Sequence, residues 1–266
     1  MKRIVILLFV FALFTSCEDV VEIDLNTSDP RLVIEASINL MEDGTSNSTV
    51  KLSLTAPFFD DQIPTVEDAS VMITGDNGII YSFSYIDNGI YESSLVPQSG
   101  INYTLEVIYN GETYSATEQI VPVSSLEFVE QNNDGGFSGE DIELKVFFTD
   151  PLGPGNHYFF EGISEHGFEL DTFFDEFFDG NQIFAFYSVE DLAAGDVVRF
   201  NLYGVNEQFY NFMFILLQQG SDQGGGPFET QPATVRGNMI NETNIDNFPL
   251  GYFRVSEVST LIYTVQ

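Results

Sequence analysis

The chain has 266 residues, of which 41 are Asp or Glu and 8 are Lys or Arg, so its net charge is −33 at pH 7. Binding to DNA or RNA needs patches of basic side chains, and this balance excludes a nucleic-acid-binding protein. The same charge is repelled by anionic membrane surfaces, which favours a domain held away from the bilayer. A single cysteine leaves no partner for an internal disulfide, so the fold must depend on a core drawn from the 44% of residues that are hydrophobic.

Residues 1–16 are predicted to be a cleaved export signal rather than a membrane span. Lys2 and Arg3 give a positive start, and residues 4–14 are all apolar. At about 1.5 Å per residue this run spans roughly 16 Å as a helix, which is about half of a hydrocarbon core of ~30 Å. The run is therefore long enough to serve as a secretory signal but too short to cross the bilayer.

Cys17 follows directly after the small residues Thr15 and Ser16. The arrangement resembles the lipobox of bacterial lipoproteins. This resemblance implies that Cys17 becomes the first mature residue and that its acyl chains anchor the protein in the membrane. Glu18 and Asp19 resemble the acidic export signal of Bacteroidota lipoproteins. We therefore expect an outer-membrane lipoprotein at the cell surface, with the periplasmic leaflet as the alternative. A secretory signal followed by an incidental cysteine is the other interpretation.

Residues 17–29 are predicted to be a lipidated tether, and residues 30–122 an immunoglobulin-like antiparallel β-sandwich. Apolar and polar residues alternate through seven short segments about ten residues apart, the pattern of strands with one buried face. Turn sequences separate several of these segments, because Asn and Gly tolerate positive φ. These turns are Gly75-Asp76-Asn77-Gly78, Asp87-Asn88-Gly89 and Asn110-Gly111.

Residues 123–266 are predicted to form a second, β-rich domain with one helix at about 206–219 and a flexible loop at 220–231. Asn206 is the expected N-cap, and the helix is apolar nearly all round, which predicts burial, with docking on a partner as the alternative. Glycines and a proline in the following segment favour the loop. Further strands are expected at 158–163, 168–174, 183–187, 197–203, 234–239, 250–255 and 260–265.

Several short motifs, taken in order, resemble one family, domain of unknown function 4249, whose members are lipoproteins of Bacteroidota commonly encoded beside TonB-dependent receptors. The motifs lie at 17–18, 32–35, 68–73, 89–91, 103–105, 111–114, 122–123, 235–238 and 250–253. The resemblance implies a two-part β-rich envelope lipoprotein that works with a TonB-dependent outer-membrane receptor. It supplies no catalytic residues to transfer.

Catalytic residues are not evident in the sequence, and no enzyme activity is predicted. Ser164 lies in Gly-Ile-Ser-Glu-His, which approaches a nucleophile elbow but lacks its last glycine and the surrounding α/β pattern. His157 and His166 are the only histidines. A role as metal ligand or general base is one interpretation of them, and ordinary packing or exposure is the other.

The most unusual stretch, residues 168–181, interleaves aromatic rings with carboxylates. Rings that stack on a ligand and carboxylates that accept its hydrogen bonds would make a binding surface. A strand with inward Phe side chains followed by an acidic turn is the alternative, and a calcium site is a third interpretation. No metal or cofactor is assigned. The candidate ligand or partner contacts are Phe174, Asp175, Glu176, Phe177, Phe178 and Asp179.

These observations together predict a non-enzymatic outer-membrane lipoprotein that assists a TonB-dependent transporter, with the transporter inferred from the resemblance alone. An adhesin-like or scaffolding surface protein is the alternative, since immunoglobulin-like modules often serve to present surfaces. A hydrolase acting through Ser164 or a carboxylate is the third hypothesis.

Overall fold

The computed structural model describes residues 29–57, 60, 62–136, 139, 141–220 and 234–266. The predicted signal, Cys17, Glu18, Asp19 and nearly all of the predicted tether and 220–231 loop lie outside these residues. The described residues form three sheets and one α-helix, α1 (Glu207–Gly220). The strands are β1 (Leu32–Met41), β2 (Ser46–Leu54), β3 (Ser70–Gly75), β4 (Ile80–Ser82), β5 (Ser84–Asp87), β6 (Ile90–Ser93), β7 (Asn102–Tyr109), β8 (Glu112–Gln119), β9 (Leu126–Gly135), β10 (Asp141–Thr149), β11 (His157–Ile163), β12 (Phe168–Phe174), β13 (Gln182–Tyr187), β14 (Val197–Val205), β15 (Ile240–Asn241) and β16 (Leu250–Thr264).

The N-terminal part is a β-sandwich, as the alternating pattern predicts. A five-stranded sheet in the order β15-β8-β7-β3-β4 packs on one half of an eight-stranded sheet in the order β12-β11-β14-β16-β1-β2-β6-β5. Ile34 and Ile38 of β1 and Ile73 of β3 are fully buried in the core between the sheets. The mainly β fold class is confirmed.

The turns predicted from Asn and Gly are also confirmed. Asn88 and Gly89 have φ angles of 45° and 77° between β5 and β6, and Asn110 and Gly111 have φ angles of 50° and 78° between β7 and β8. Both central residues of each turn lie in the left-handed region, the geometry that matches the twist of a two-residue hairpin.

A second sandwich follows. The three-stranded sheet β13-β10-β9 packs on the other half of the eight-stranded sheet, around a core that includes Phe148, Phe160, Tyr187 and Phe200. Three of the chain's 26 Phe are buried in this core, where they pack with two buried Tyr rings.

The two sandwiches share strand β16. Its first half pairs in parallel with β1, from Leu250 opposite Val33 to Val258 opposite Met41, and its second half pairs antiparallel with β14. A division at residue 122 therefore differs from the structure, because β15 and the first half of β16 complete the N-terminal sandwich. The predicted strands at 250–255 and 260–265 are one strand, and residues 234–239 are not a strand.

Helix α1 lies on the outer face of the eight-stranded sheet, where the sandwiches meet. Asn206 is its N-cap as predicted, since its Oδ1 accepts a hydrogen bond from the Phe209 amide at 2.8 Å. Phe209 is buried against Phe159 of β11 and Tyr252 of β16. The far side of α1 stays open among the described residues, because a lone helix on a sheet covers one side only; Phe214 is 43% exposed. The helix is thus buried along one side rather than all round.

Candidate functional site

The acidic and aromatic stretch forms edge strand β12 followed by a 3₁₀ turn, Asp175–Phe177. Strand β12 pairs with β11 over its whole length, so the interpretation as a strand followed by an acidic turn is confirmed. Its Phe side chains do not all face inward. Phe173 packs against Phe148, with 6.1 Å between ring centroids, whereas Phe168 is 68% exposed at the start of the strand.

The three predicted aromatic contacts are placed differently. Phe174 stacks on His157 with 4.9 Å between ring centroids, and Phe178 packs against the C-terminal core. Phe177 is 90% exposed at the tip of the turn. Of the three rings, Phe177 is therefore the one free to contact a ligand or partner.

The carboxylates of the turn also differ in their burial. Asp175 is fully buried, whereas Glu176 and Asp179 are exposed. The Asp175 Oδ2 accepts the backbone N–H groups of Gly155 at 2.8 Å and Asn156 at 2.9 Å. Asp175 therefore ties the turn to the loop between β10 and β11.

Asp150, at the end of β10, joins this group, and the sequence reasoning did not select it. One carboxylate oxygen from each of Asp150, Asp175 and Asp179 lies within 4.8 Å of the others. Asp150 accepts the Tyr158 hydroxyl at 2.5 Å and the Gly180 amide at 3.0 Å. Burial, helped by this bond to Asp150, raises the pKa of the Tyr158 hydroxyl above its ordinary value. A carboxylate directly after a buried strand, before Pro-Leu-Gly-Pro-Gly, was the available signal.

The two histidines lie near opposite ends of β11 and have separate surroundings. His157 is the first residue of this strand, and His166 lies three residues after its end. His157 is buried, and its Nδ1 lies 3.0 Å from the Gly155 carbonyl oxygen. His166 lies 3.0 Å from Asp196. The Ser164 Oγ accepts hydrogen bonds from the Tyr187 hydroxyl at 2.7 Å and from the His166 backbone amide. Among the described contacts it has no hydrogen bond to the His166 ring. This is ordinary packing and turn chemistry rather than a nucleophile with its base.

A cavity of about 680 Å³ opens beside α1, and the sequence reasoning did not foresee it. Phe209, Phe212 and Met213 of the helix form one wall, and Tyr252 and Arg254 of β16 contribute to another. The Arg254 guanidinium carbon lies 4.2 Å from the centroid of the Tyr203 ring. The cavity is mainly apolar, and Glu35 and Arg254 bring one acidic and one basic side chain to its lining.

A polar network fixes the start of α1. Glu118 of β8 accepts hydrogen bonds from Asn206 Nδ2 at 2.8 Å and from Asn238 Nδ2 at 2.7 Å. Burial raises the pKa of the Glu118 carboxyl, and these hydrogen bonds oppose that shift. The N-cap of the helix is thereby attached to the five-stranded sheet.

Within the described residues, no helix has both the length and the apolar character needed to cross a bilayer.

Three of the solved structures that match this chain are distant likenesses. A two-domain fibronectin type-III segment of chicken tenascin is 14% identical over 66% of this chain and 91% of that chain, with a TM-score of 0.22. A DUF4785 family protein of Legionella pneumophila is 13% identical over 68% of this chain and 54% of that chain, with a TM-score of 0.27. A cytokine receptor complex is 11% identical over 66% of this chain and 84% of that chain, with a TM-score of 0.23. At these scores the likenesses carry no argument, and the fold rests on the sheets of this chain.

No curated protein matches the sequence. The family described as "Domain of unknown function (DUF4249)" matches residues 18–262, which is nearly the whole chain. The family suggested by the order of the short motifs is thereby confirmed, and the chain belongs to the DUF4249 family.

Proposed function

We propose that this protein is an outer-membrane lipoprotein, held by lipid on Cys17, that captures a ligand for a TonB-dependent transporter without catalysing a reaction. The observation that carries the proposal is the position of the sole cysteine, directly after the predicted export signal and before Glu18 and Asp19, in a chain of the DUF4249 family. The link to a transporter comes from the family resemblance alone, which implies a TonB-dependent receptor as partner.

The anchor is supported by energetics. Each buried methylene contributes about 0.8 kcal/mol, so one acyl chain binds a membrane marginally and two or more hold it firmly. A triacylated Cys17 needs no membrane-spanning segment. The acidic surface then keeps the folded part away from anionic lipids.

The cavity beside α1 supports a capture role. Its volume of about 680 Å³ is within the ~300–1,000 Å³ typical of small-molecule sites, and its walls are mainly apolar and aromatic. The exposed rings of Phe177 and Phe214 offer further apolar contacts on the surface.

The anchor is tested with Cys17→Ala, expressed in the native host. We expect the wild type in the outer-membrane fraction with a diacylglycerol thioether at its N-terminus by mass spectrometry, and the variant in a soluble fraction. Surface proteolysis of intact cells then separates the outer face from the periplasmic leaflet. An unmodified N-terminus, or identical fractionation of both proteins, contradicts the proposal.

The partner is tested by affinity capture of the protein from native membranes in mild detergent. Recovery of a β-barrel receptor that Cys17→Ala fails to recover supports the transporter role. Recovery of other surface proteins or host ligands instead favours the adhesin-like or scaffolding function. A glycan, ester or peptide hydrolysis that depends on one carboxylate or on Ser164 would contradict the non-enzymatic part.

A further inference from the structure

Two loops of the C-terminal sandwich meet at a group of carboxylates. Asp150 directly follows β10, and Asp175 and Asp179 lie in the turn after β12; one oxygen of each is within 4.8 Å of the others. Asp150 is 1% exposed and Asp175 is 0% exposed. Because like charges brought together away from water are strongly unfavourable, a compensating charge would stabilise this arrangement.

The protein supplies no such charge among its described residues. None of their Lys, Arg or His side chains forms an ion pair with Asp150, Asp175 or Asp179. The partners of the three carboxylates are backbone amides and the Tyr158 hydroxyl, which are neutral donors.

Two buried oxygen atoms at this place also have unused lone pairs. The Oδ1 of Asp175 is shielded from solvent and has no hydrogen-bond partner, although Oδ2 of the same group has two. The Oδ1 of Asn156 is likewise buried without a partner, and the Asn156 backbone is bonded to Asp175. A carboxylate oxygen only accepts, so what completes it is a donor or a cation. Buried acceptors are rarely left unfilled.

We infer that Asp150, Asp175 and Asp179 bind a calcium ion, with the Asn156 amide oxygen as a fourth donor. The donors are all oxygen, which selects a hard cation over zinc or copper. Calcium accepts six to eight oxygen ligands in flexible geometry, which suits groups carried on two irregular loops, whereas Mg²⁺ demands a near-ideal octahedron. The ion would join the 150–156 loop to the turn that presents Phe177.

A second group of potential metal ligands among the described residues differs from this one in its partners and in its burial. Glu165, His166 and Asp196 also approach within 4.8 Å, but one of the three is a histidine, whose Nε2 lies 3.0 Å from Asp196 Oδ2. The atoms of this group are not among the buried ones without partners. It therefore carries no comparable demand for a cation.

The test is calcium titration of the purified protein by isothermal calorimetry at about 0.15 M ionic strength, where diffuse binding to the acidic surface is screened. We expect one saturable site that prefers Ca²⁺ to Mg²⁺, and a thermal midpoint that rises with Ca²⁺ and falls with chelator. Asp179→Asn should weaken binding by about tenfold or more, because affinity follows the number of ligand charges. This variant keeps an oxygen for the Gly153 amide, and circular dichroism verifies its fold.

Glu176→Gln is the matched control, since it removes one charge from the same turn at an exposed residue outside the group. Unchanged calcium affinity in this variant supports the inference. Equal weakening in both variants, or no saturable binding by the wild type, overturns it. If Asp179→Asn does not fold, the site can be tested in the wild type by Tb³⁺ luminescence. Tyr158 should sensitise Tb³⁺ bound at this group, because its hydroxyl donates a hydrogen bond to Asp150. Emission displaced by stoichiometric Ca²⁺ supports the site, and absence of emission contradicts it.

Discussion

The two sandwiches share a strand but are built from different materials. Five of the twenty buried residues in the N-terminal core are aromatic, against five of thirteen in the C-terminal core and four of six in the cluster under α1. The buried carboxylates Asp150 and Asp175 both belong to the C-terminal sandwich. The N-terminal sandwich is thus a mainly aliphatic framework, and the C-terminal one concentrates rings and buried charge. The cavity beside α1 lies over β1 and the first half of β16, on the outer face of the N-terminal half.

Two buried rings, Phe253 of β16 and Phe200 of the neighbouring strand β14, should give the largest effects on stability, one in each sandwich. Phe253 is fully buried in the N-terminal core and Phe200 in the C-terminal core. Each change to Ala should lower the free energy of unfolding by about 3–5 kcal/mol, through lost burial and the cavity left behind. Because β16 hydrogen-bonds to both halves, we expect one denaturant transition in wild type and both variants. Two separate transitions would show that the sandwiches are independent.

The turn after β12 gives a sharper contrast between packing and display. Phe178→Ser should cost about 2–3 kcal/mol, since this ring packs on the C-terminal core. Phe177→Ser should change stability by less than about 0.5 kcal/mol, because the ring is 90% exposed. Urea midpoints measure both. A well-folded Phe177→Ser protein that no longer captures its partner would identify this ring as a contact, whereas equal destabilisation would refute the difference.

The start of α1 tests how the helix is attached to the N-terminal framework. Asn206→Ala removes the N-cap and the hydrogen bond to Glu118, so we expect a loss of about 1–2 kcal/mol. Asn206→Ser retains a capping oxygen but not the amide donor, so its stability should lie between those of the wild type and Asn206→Ala. Thermal denaturation followed by far-ultraviolet circular dichroism measures the order, and a neutral Asn206→Ala would contradict it.

The smallest expected effects come from two carboxyls of strand β8, whose contributions to stability should depend on pH in opposite directions. Burial raises the pKa of Glu118 above 4.5, so its contribution to stability is full below pH 4.5 and is lost as pH rises through the raised value. Hydrogen bonds, first from Tyr114, lower the pKa of Glu112, so its contribution is present above 4.5 and is lost as pH falls through the lowered value.

We therefore expect the wild type to lose stability relative to Glu118→Gln as pH rises, and to gain relative to Glu112→Gln. Thermal midpoints of the three proteins across the acid range provide the measurement. Parallel curves for the two variants would mean that the shifts do not arise from these surroundings.

Local signals were sufficient for much of the fold. Strand β1 alternates apolar and polar residues, the Asn-Gly turns specify hairpins, and Asn206 marks a helix start, each through interactions within a few residues. The candidate site was half foreseen: the sequence selected Asp175 and Asp179 but not Asp150, which is 25 residues before Asp175 and reaches it only because β11 and β12 return the chain.

The sequence by itself determined most of the sandwich strands, their turns and the helix, because these follow from short-range periodicity and turn chemistry. It indicated the family separately, through the order of its short motifs. Only the tertiary structure decided that β16 serves both sandwiches, that α1 is covered on one side, and that three carboxylates meet. Pairing between segments more than 200 residues apart, such as β1 with β16, depends on how whole layers fill space, and no local pattern encodes it.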